Sequence, residues 1–212
     1  HSMMNFEVRA LPPAQFEQFL ALRTRNYANM GAYLSTFAPF IPTGAGTKVL
    51  ASVYDFKAIH ARVIGVLTNT VPVDAYRGAG RPEATYAIER IMDELAHELD
   101  MDPMELRRKN WIAHEEFPFT TVAGLTYDSG NYEAATDKAL QMMDWDQLRA
   151  EQQQRRERKD PVQLGLGIST FTEMCGLAPS RVLGSLSYGA GGWETASIRM
   201  LPTGKAEVVV GT

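Results

Sequence analysis

Cysteine is nearly missing from this chain: its 212 residues include one, Cys175. That excludes an internal disulfide framework and any iron–sulfur cluster held by several cysteines of this chain. Histidine is sparse as well, and His60, His97 and His114 are scattered, without metal-ligand spacing to Cys175 or to neighbouring carboxylates. No apolar run reaches the ~18 residues of a membrane span, and no basic start with an apolar middle marks a secretory signal. Positive charge is not in excess either. The net charge of −4 argues against nucleic acid or any broad anionic surface as partner. The chain has no G-x-S-x-G elbow and no P-loop lysine. A reducing cytoplasm is the expected setting.

What remains is ordinary for a globular protein: 45% apolar and 22% charged residues, in a length that suits one large domain or two small ones. His1, Ser2 and Met3 resemble the remnant of a cleaved tag. Phe6, Val8 and Ala10 alternate with charged or long residues as in a half-buried strand, which Pro12 and Pro13 stop. A second strand is expected over residues 19–25. Residues 26–48, apolar but broken by glycine and proline, read as buried loops or short helices that could line a cavity. Residues 49–54 are ambiguous, and 58–68 read as a longer strand.

The most informative stretch is residues 71–84. Gly78 and Gly80 stand between Arg77 and Arg81, and Pro82 suits the first turn of a helix. The glycines lack the Cβ atoms that would keep a large ligand from the backbone. The helix N-terminus and two arginines add positive potential. The stretch therefore suits a bulky anionic or electron-rich ligand. A glycine turn with two solvated arginines remains the alternative. A dinucleotide fingerprint fits poorly, because its third glycine would fall at Glu83.

Downstream, Ala84, Ile88, Ile91, Met92, Leu95 and Leu99 form one face of a helix, with Glu89, Arg90, Asp93, Glu94 and Glu98 on its solvated side. Asp102 caps a following helix that begins at Pro103, with Glu105 placed for a capping box and Arg107, Arg108 and Lys109 complementing its dipole from solvent. A loop with aromatic anchors covers residues 117–130. A third helix starts near Tyr132 with Ala135, Ala139, Leu140 and Met143 inward. An exposed helical tail covers 145–159. Residues 164–171 read as a strand, 184–192 as glycine-rich, and 196–201 with 205–210 as a hairpin turning at Pro202, Thr203 and Gly204. An apolar strand at the very end implies either docking or a longer parent. Cys175 reads as a packed thiol and Glu173 as a solvated or capping carboxylate.

The run Thr68-Asn69-Thr70-Val71-Pro72-Val73-Asp74-Ala75-Tyr76-Arg77-Gly78-Ala79-Gly80-Arg81-Pro82-Glu83-Ala84 resembles the signature of the molybdenum hydroxylases. This is the family of xanthine dehydrogenase, aldehyde oxidase and the large subunit of aerobic carbon monoxide dehydrogenase. Further resemblance lies in Ala28-Asn29-Met30-Gly31-Ala32-Tyr33, Leu106-Arg107-Arg108-Lys109-Asn110, Tyr127-Asp128-Ser129-Gly130 and Gly192-Trp193-Glu194-Thr195-Ala196. The resemblance is strongest to the carbon monoxide dehydrogenase-like large subunits.

The resemblance implies an α+β fold within the molybdopterin-binding domain, a mixed sheet packed with helices. It divides as residues 4–160, carrying the glycine loop, and 161–212, the start of a strand-rich subdomain. It implies cofactor contacts at Tyr76, Arg77, Gly78, Ala79 and Gly80, with molybdopterin carrying molybdenum, as the cytosine dinucleotide in bacteria. The family's carbon monoxide oxidisers carry a copper-holding cysteine where this chain has Gly78. The implied reaction is therefore hydroxylation of an aldehyde or N-heterocycle, with electrons leaving to separate iron–sulfur and FAD subunits. The family's upstream glycine-rich loop, the Gln-Gly-His-type segment expected past Thr212 and the late general-base glutamate are not in this sequence. The chain is thus expected to be a fragment that has no catalytic residue of its own, binds no cofactor in isolation and is prone to self-association. The alternative is a stand-alone α+β module that keeps the scaffold for binding or assembly.

Overall fold

The computed structural model describes residues 4–7, 21–175, 184 and 195–210. They fall into two compact units, residues 1–172 and 173–212. The first unit is built on a three-stranded mixed sheet. Strand β1 (Met4–Glu7) runs antiparallel to β2 (Ala21–Gly31), which pairs in parallel with β3 (Ala58–Leu67). The second expected strand thus runs six residues further than its alternation suggested, with a bulge between Asn29 and Gly31. The remainder of the expected first strand lies outside the described residues.

Parallel strands need a crossover. Here it runs through three short helical turns, Ala38–Phe40, Ile41–Ala45 and Gly46–Lys48, that bury Ala38, Ile41 and Ala45. The expectation of buried short helices lining a cavity holds for this part. Residues 49–53 continue as turns, and an isolated bridge pairs Tyr54 with Trp111.

Helix α1 (Arg81–Glu98) buries Ala84, Ile88, Met92 and Leu95 of the expected stripe, together with Ala87 and Ala96, and leaves Ile91 and Leu99 half-buried. Glu89 departs from expectation: it is buried too. Helix α2 (Pro103–Asn110) starts as predicted, with the Asp102 carboxylate accepting from the backbone N–H of Met104 and Glu105. Glu105 pairs with Lys109 at 2.9 Å, and the N–H of Met104 and Glu105 take up only the Asp102 side of a capping box. Arg107 is not at the solvated end of the dipole but fully buried.

After the small hairpin of β4 (Phe119–Thr120) and β5 (Thr126–Tyr127) come α3 (Tyr132–Met143) and α4 (Trp145–Glu157). The inward face expected for α3 is corrected. Ala135, Ala139 and Met143 are exposed, and Thr136 and Leu140 turn inward. Arg108 of α2 bonds Glu133 at 2.9 Å and also Asp137, on the same side of the helix. The Phe117 ring meets Tyr132 edge-on at 5.8 Å. Helix α4 is exposed as expected, apart from the buried Gln152, whose amide donates to Leu164 O at 2.9 Å. Residues 164–171 form no ladder, contrary to the strand expected there; side chains hold them instead.

In the second unit, β6 (Ala196–Met200) and β7 (Ala206–Val210) form the expected antiparallel hairpin. The register puts Ala196, Ile198 and Met200 beside Val210, Val208 and Ala206, an apolar face whose members are all exposed. Cys175 is exposed, not packed. The glycine-rich stretch 184–192 lies, but for Gly184, outside the described residues.

Candidate functional site

The glycine loop hangs between two anchors. Its stem is tied to the end of β2 by Asn29. The Asn29 Oδ1 accepts from Gly31 N at 3.0 Å and from the Thr68 hydroxyl at 2.6 Å, and its Nδ2 donates to Thr70 Oγ1 at 3.3 Å. Backbone bonds from Ala32 N to Thr70 O and from Thr68 N to Gly31 O, both 3.0 Å, close the knot. Gly31 must be glycine here: its φ is +76°, and a Cβ would come within 2.5 Å of Pro72 Cα.

At the far anchor three consecutive residues have positive φ: Gly78 at +97°, Ala79 at +34° and Gly80 at +88°. Gly80 ends the loop and is the N-cap of α1. A Cβ on it would lie 2.2 Å from Ile41 O, and one on Gly78 would lie 2.6 Å from Pro82 Cγ. The glycines therefore serve the chain's own close packing and the left-handed turns of the loop. Arg81 is not a free cation either: its Nε donates to Gly78 O at 2.7 Å, folding the side chain back on the loop.

The loop thus offers outward Tyr76, 87% exposed, and Arg77, also exposed and without a hydrogen-bond or ion-pair partner among the described residues. Gly78 and Ala79 are half-buried behind them. An exposed guanidinium suits an anionic group on this outer side.

Beneath the loop a cleft of about 250 Å³ opens between the sheet, the crossover turns and the start of α1. Of the five predicted residues, Gly80 lines it; Tyr76, Arg77, Gly78 and Ala79 stand outside. Its walls are mainly apolar: Ala28, Met30, Ala38, Ile41, Leu50 and Val63. Its polar groups are the Thr24 and Thr47 side chains, the Asn26 and Asn29 amides and the Asp74 and Glu83 carboxylates, and the buried Asn26 Oδ1 has no hydrogen-bond partner among the described residues. Among the described residues, neither lysine nor arginine lines it. The positive potential read from the sequence therefore sits on the loop's rim, and the cleft itself does not suit an anion.

A second polar cluster escapes a reading of the sequence. Glu89 accepts from Arg107 Nε at 3.0 Å, from Thr170 N at 2.9 Å and from the Tyr54 hydroxyl. Arg107 also donates to Glu89 O and Pro103 O, each at 3.1 Å, and pairs with Asp93 at 2.9 Å. Burial, then the Glu89 charge and hydrogen bond, push the Tyr54 hydroxyl well above the usual tyrosine range. Burial works against the Arg107 charge, but Tyr54, Glu89 and Asp93 outweigh it and raise its pKa. This cluster joins α1, α2 and residue 170 and is structural. No group of three metal-ligating side chains occurs among the described residues. His60, His97 and His114 are exposed.

Comparison with known proteins gives these features a family. Residues 16–111 and again 138–212 match the family described as molybdopterin cofactor-binding domain. The carbon monoxide dehydrogenase large chain of Hydrogenophaga pseudoflava is 40% identical over 99% of this chain and 26% of its own length. The nicotine 6-hydroxylase large subunit of Paenarthrobacter nicotinovorans is 34% identical over 75% of this chain and 19% of its own. Among solved structures, quinoline 2-oxidoreductase of Pseudomonas putida 86 superposes with a TM-score of 0.79 at 33% identity, covering 91% of this chain and 24% of that one. The chain thus spans about a fifth to a quarter of the length of these relatives. With the glycine loop, the mixed sheet and both matches in agreement, the chain belongs to the molybdenum hydroxylase family and lies in its molybdopterin cofactor-binding region.

Proposed function

We propose that Tyr76, Arg77, Gly78, Ala79 and Gly80 form one wall of a molybdenum site in an enzyme that hydroxylates an aldehyde or N-heterocycle. In this reading the Arg77 guanidinium and the backbone of Tyr76 and Gly78 meet the pterin or the metal's ligand shell. The bound cofactor, molybdopterin in its cytosine dinucleotide form, supplies two-electron redox chemistry. Water gives the oxygen atom, and two electrons and two protons leave per turnover. The chain's own part is to hold an exposed cation on a fixed backbone against the cofactor's negative charge.

The observation that carries the substrate assignment is the geometry at Gly78. Glycine stands where the family's carbon monoxide oxidisers carry the copper-holding cysteine, and its φ of +97° and the 2.6 Å approach of a Cβ to Pro82 Cγ would strain a side chain at this position, which supports a copper-free site. The relatives named for nicotine and quinoline favour an N-heterocycle in the same direction. Electrons pass to iron–sulfur and FAD subunits, and the complex works in the cytoplasm. Taken by itself, this 212-residue chain holds no molybdenum, is inactive and self-associates.

Two measurements test the reading. Elemental analysis of the purified chain is expected to find no stoichiometric molybdenum; one molybdenum per chain refutes the inactive-alone part. In a full-length large subunit assembled with its partners, quinoline or benzaldehyde oxidation is expected, and Arg77→Met is expected to lower kcat/KM by about 10²-fold. Carbon monoxide oxidation that needs copper would refute the substrate class.

A further inference from the structure

The face of the sheet opposite the cleft carries a cluster of basic side chains. Alternation along β2 turns Thr24, Asn26 and Ala28 toward the cleft and Arg23 and Arg25 away from it. In the parallel ladder Arg23 stands opposite His60, and Arg25 opposite Arg62. Arg23, Arg25, His60 and Arg62 are all exposed, and with Thr24 they enclose a recess of about 70 Å³, roughly the size of one phosphate group. The acidic residue that the ladder brings to this end is Glu7, opposite Arg23. Arg25, His60 and Arg62 have no hydrogen-bond or ion-pair partner among the described residues.

Like charges placed directly across a ladder repel, and Arg25 stands directly across from Arg62. The two guanidinium forks of Arg25 and Arg62, with the His60 ring beside them around a small recess, match a multiply charged, multi-oxygen anion better than a single carboxylate, while Arg23 at the edge already has a partner. A phosphate monoester carries about −1.5 to −2 charge near neutral pH and three acceptor oxygens. We propose that this recess is a phosphoryl-binding site, with Arg25 and Arg62 gripping the oxygens and His60 donating from the side. It lies on the other face of the sheet from the glycine loop's cleft, so it stands or falls independently of the molybdenum reading.

The test is a titration of the 212-residue chain with inorganic phosphate at constant ionic strength, followed by NMR of the His60 ring and the arginine Nε resonances. Saturable shifts confined to Arg23, Arg25, His60 and Arg62 are expected. Arg62→Gln and Arg25→Gln are each expected to weaken binding at least about tenfold. Arg90→Gln, an exposed arginine of α1, serves as the control and is expected to leave it unchanged. A parallel titration with acetate is expected to give no saturation. The assignment is overturned if phosphate shifts fail to saturate, if acetate saturates equally well, or if Arg62→Gln binds like the parent. Unfolding curves for each variant keep loss of fold from being read as loss of binding.

Discussion

Glu89 and Arg107 meet in the interior, 3.0 Å apart, from helices whose charged residues would be expected to face water. Glu89 receives from a guanidinium, a phenol and a backbone amide, so its charge is fully dressed. Such a pair costs much desolvation, and its net worth is small until one member is lost.

Removing one member is therefore the severe change. Arg107→Met or Glu89→Leu alone is expected to destabilise the chain by about 3–5 kcal/mol, because the charge that stays buried loses its principal partner. The double substitution is expected to cost less than the sum of the singles, since it leaves neither charge behind. Urea unfolding of the four proteins in the cycle measures the coupling directly.

The same cluster sets an alkaline limit. The Tyr54 hydroxyl titrates above its ordinary value of 10.0, as do Tyr127, raised by burial and then by Tyr132, and Tyr132, raised by burial. The unfolded chain then releases these protons first. Stability is expected to be intact below pH 10 and to fall as pH rises beyond it, by about 1.4 kcal/mol per pH unit for each tyrosine held neutral. Tyr54→Phe is expected to flatten that decline when denaturation midpoints are compared from pH 8 to 11.

Gly80→Ala is expected to destabilise by about 1–3 kcal/mol, from its φ of +88° and the 2.2 Å approach to Ile41 O. Gly78→Cys, the copper-type residue, faces the same problem at Pro82 and is expected to lower Tm without conferring stoichiometric copper. Calorimetry and metal analysis of the two variants check both statements.

Asn29→Ala removes three side-chain hydrogen bonds from the loop's stem. A stability loss of about 1–3 kcal/mol is expected. Amide exchange is expected to accelerate at Ala32 and Thr68, whose N–H groups close the knot.

The hairpin's apolar face predicts association. Ile198, Met200, Val208 and Val210 are 57–70% exposed on a two-stranded ribbon, which is marginal without a partner. Sedimentation of the chain is expected to show concentration-dependent oligomers, and Val208→Lys with Ile198→Lys is expected to return it to monomer.

The parts legible in the sequence are those carried by local pattern. The α1 stripe, the Asp102 cap, the β3 strand and the terminal hairpin all rest on periodicity or on a turn a few residues long. Glu89 and Arg107 are illegible for the same reason: each looks like a surface charge in its own helix, and the partner stands 18 residues away. The rotation of α3 escapes because its inward side, with Thr136 and Tyr132 against Phe117, is fixed by contacts to other segments and not by the spacing of its alanines and methionines. The glycine loop stands out in the sequence, but the purpose of its glycines does not. A sequence shows that Cβ atoms are missing and not which neighbour, Ile41 or a ligand, takes up the space.

With Asn29 fastening one end and Gly80 seated on Ile41 at the other, the span between is a short bridge with both feet fixed. Most of its conformational entropy is surrendered when the chain folds. A ligand arriving at Tyr76 and Arg77 then has little left to order beyond two side chains, and its affinity is set by contacts instead of by loop closure.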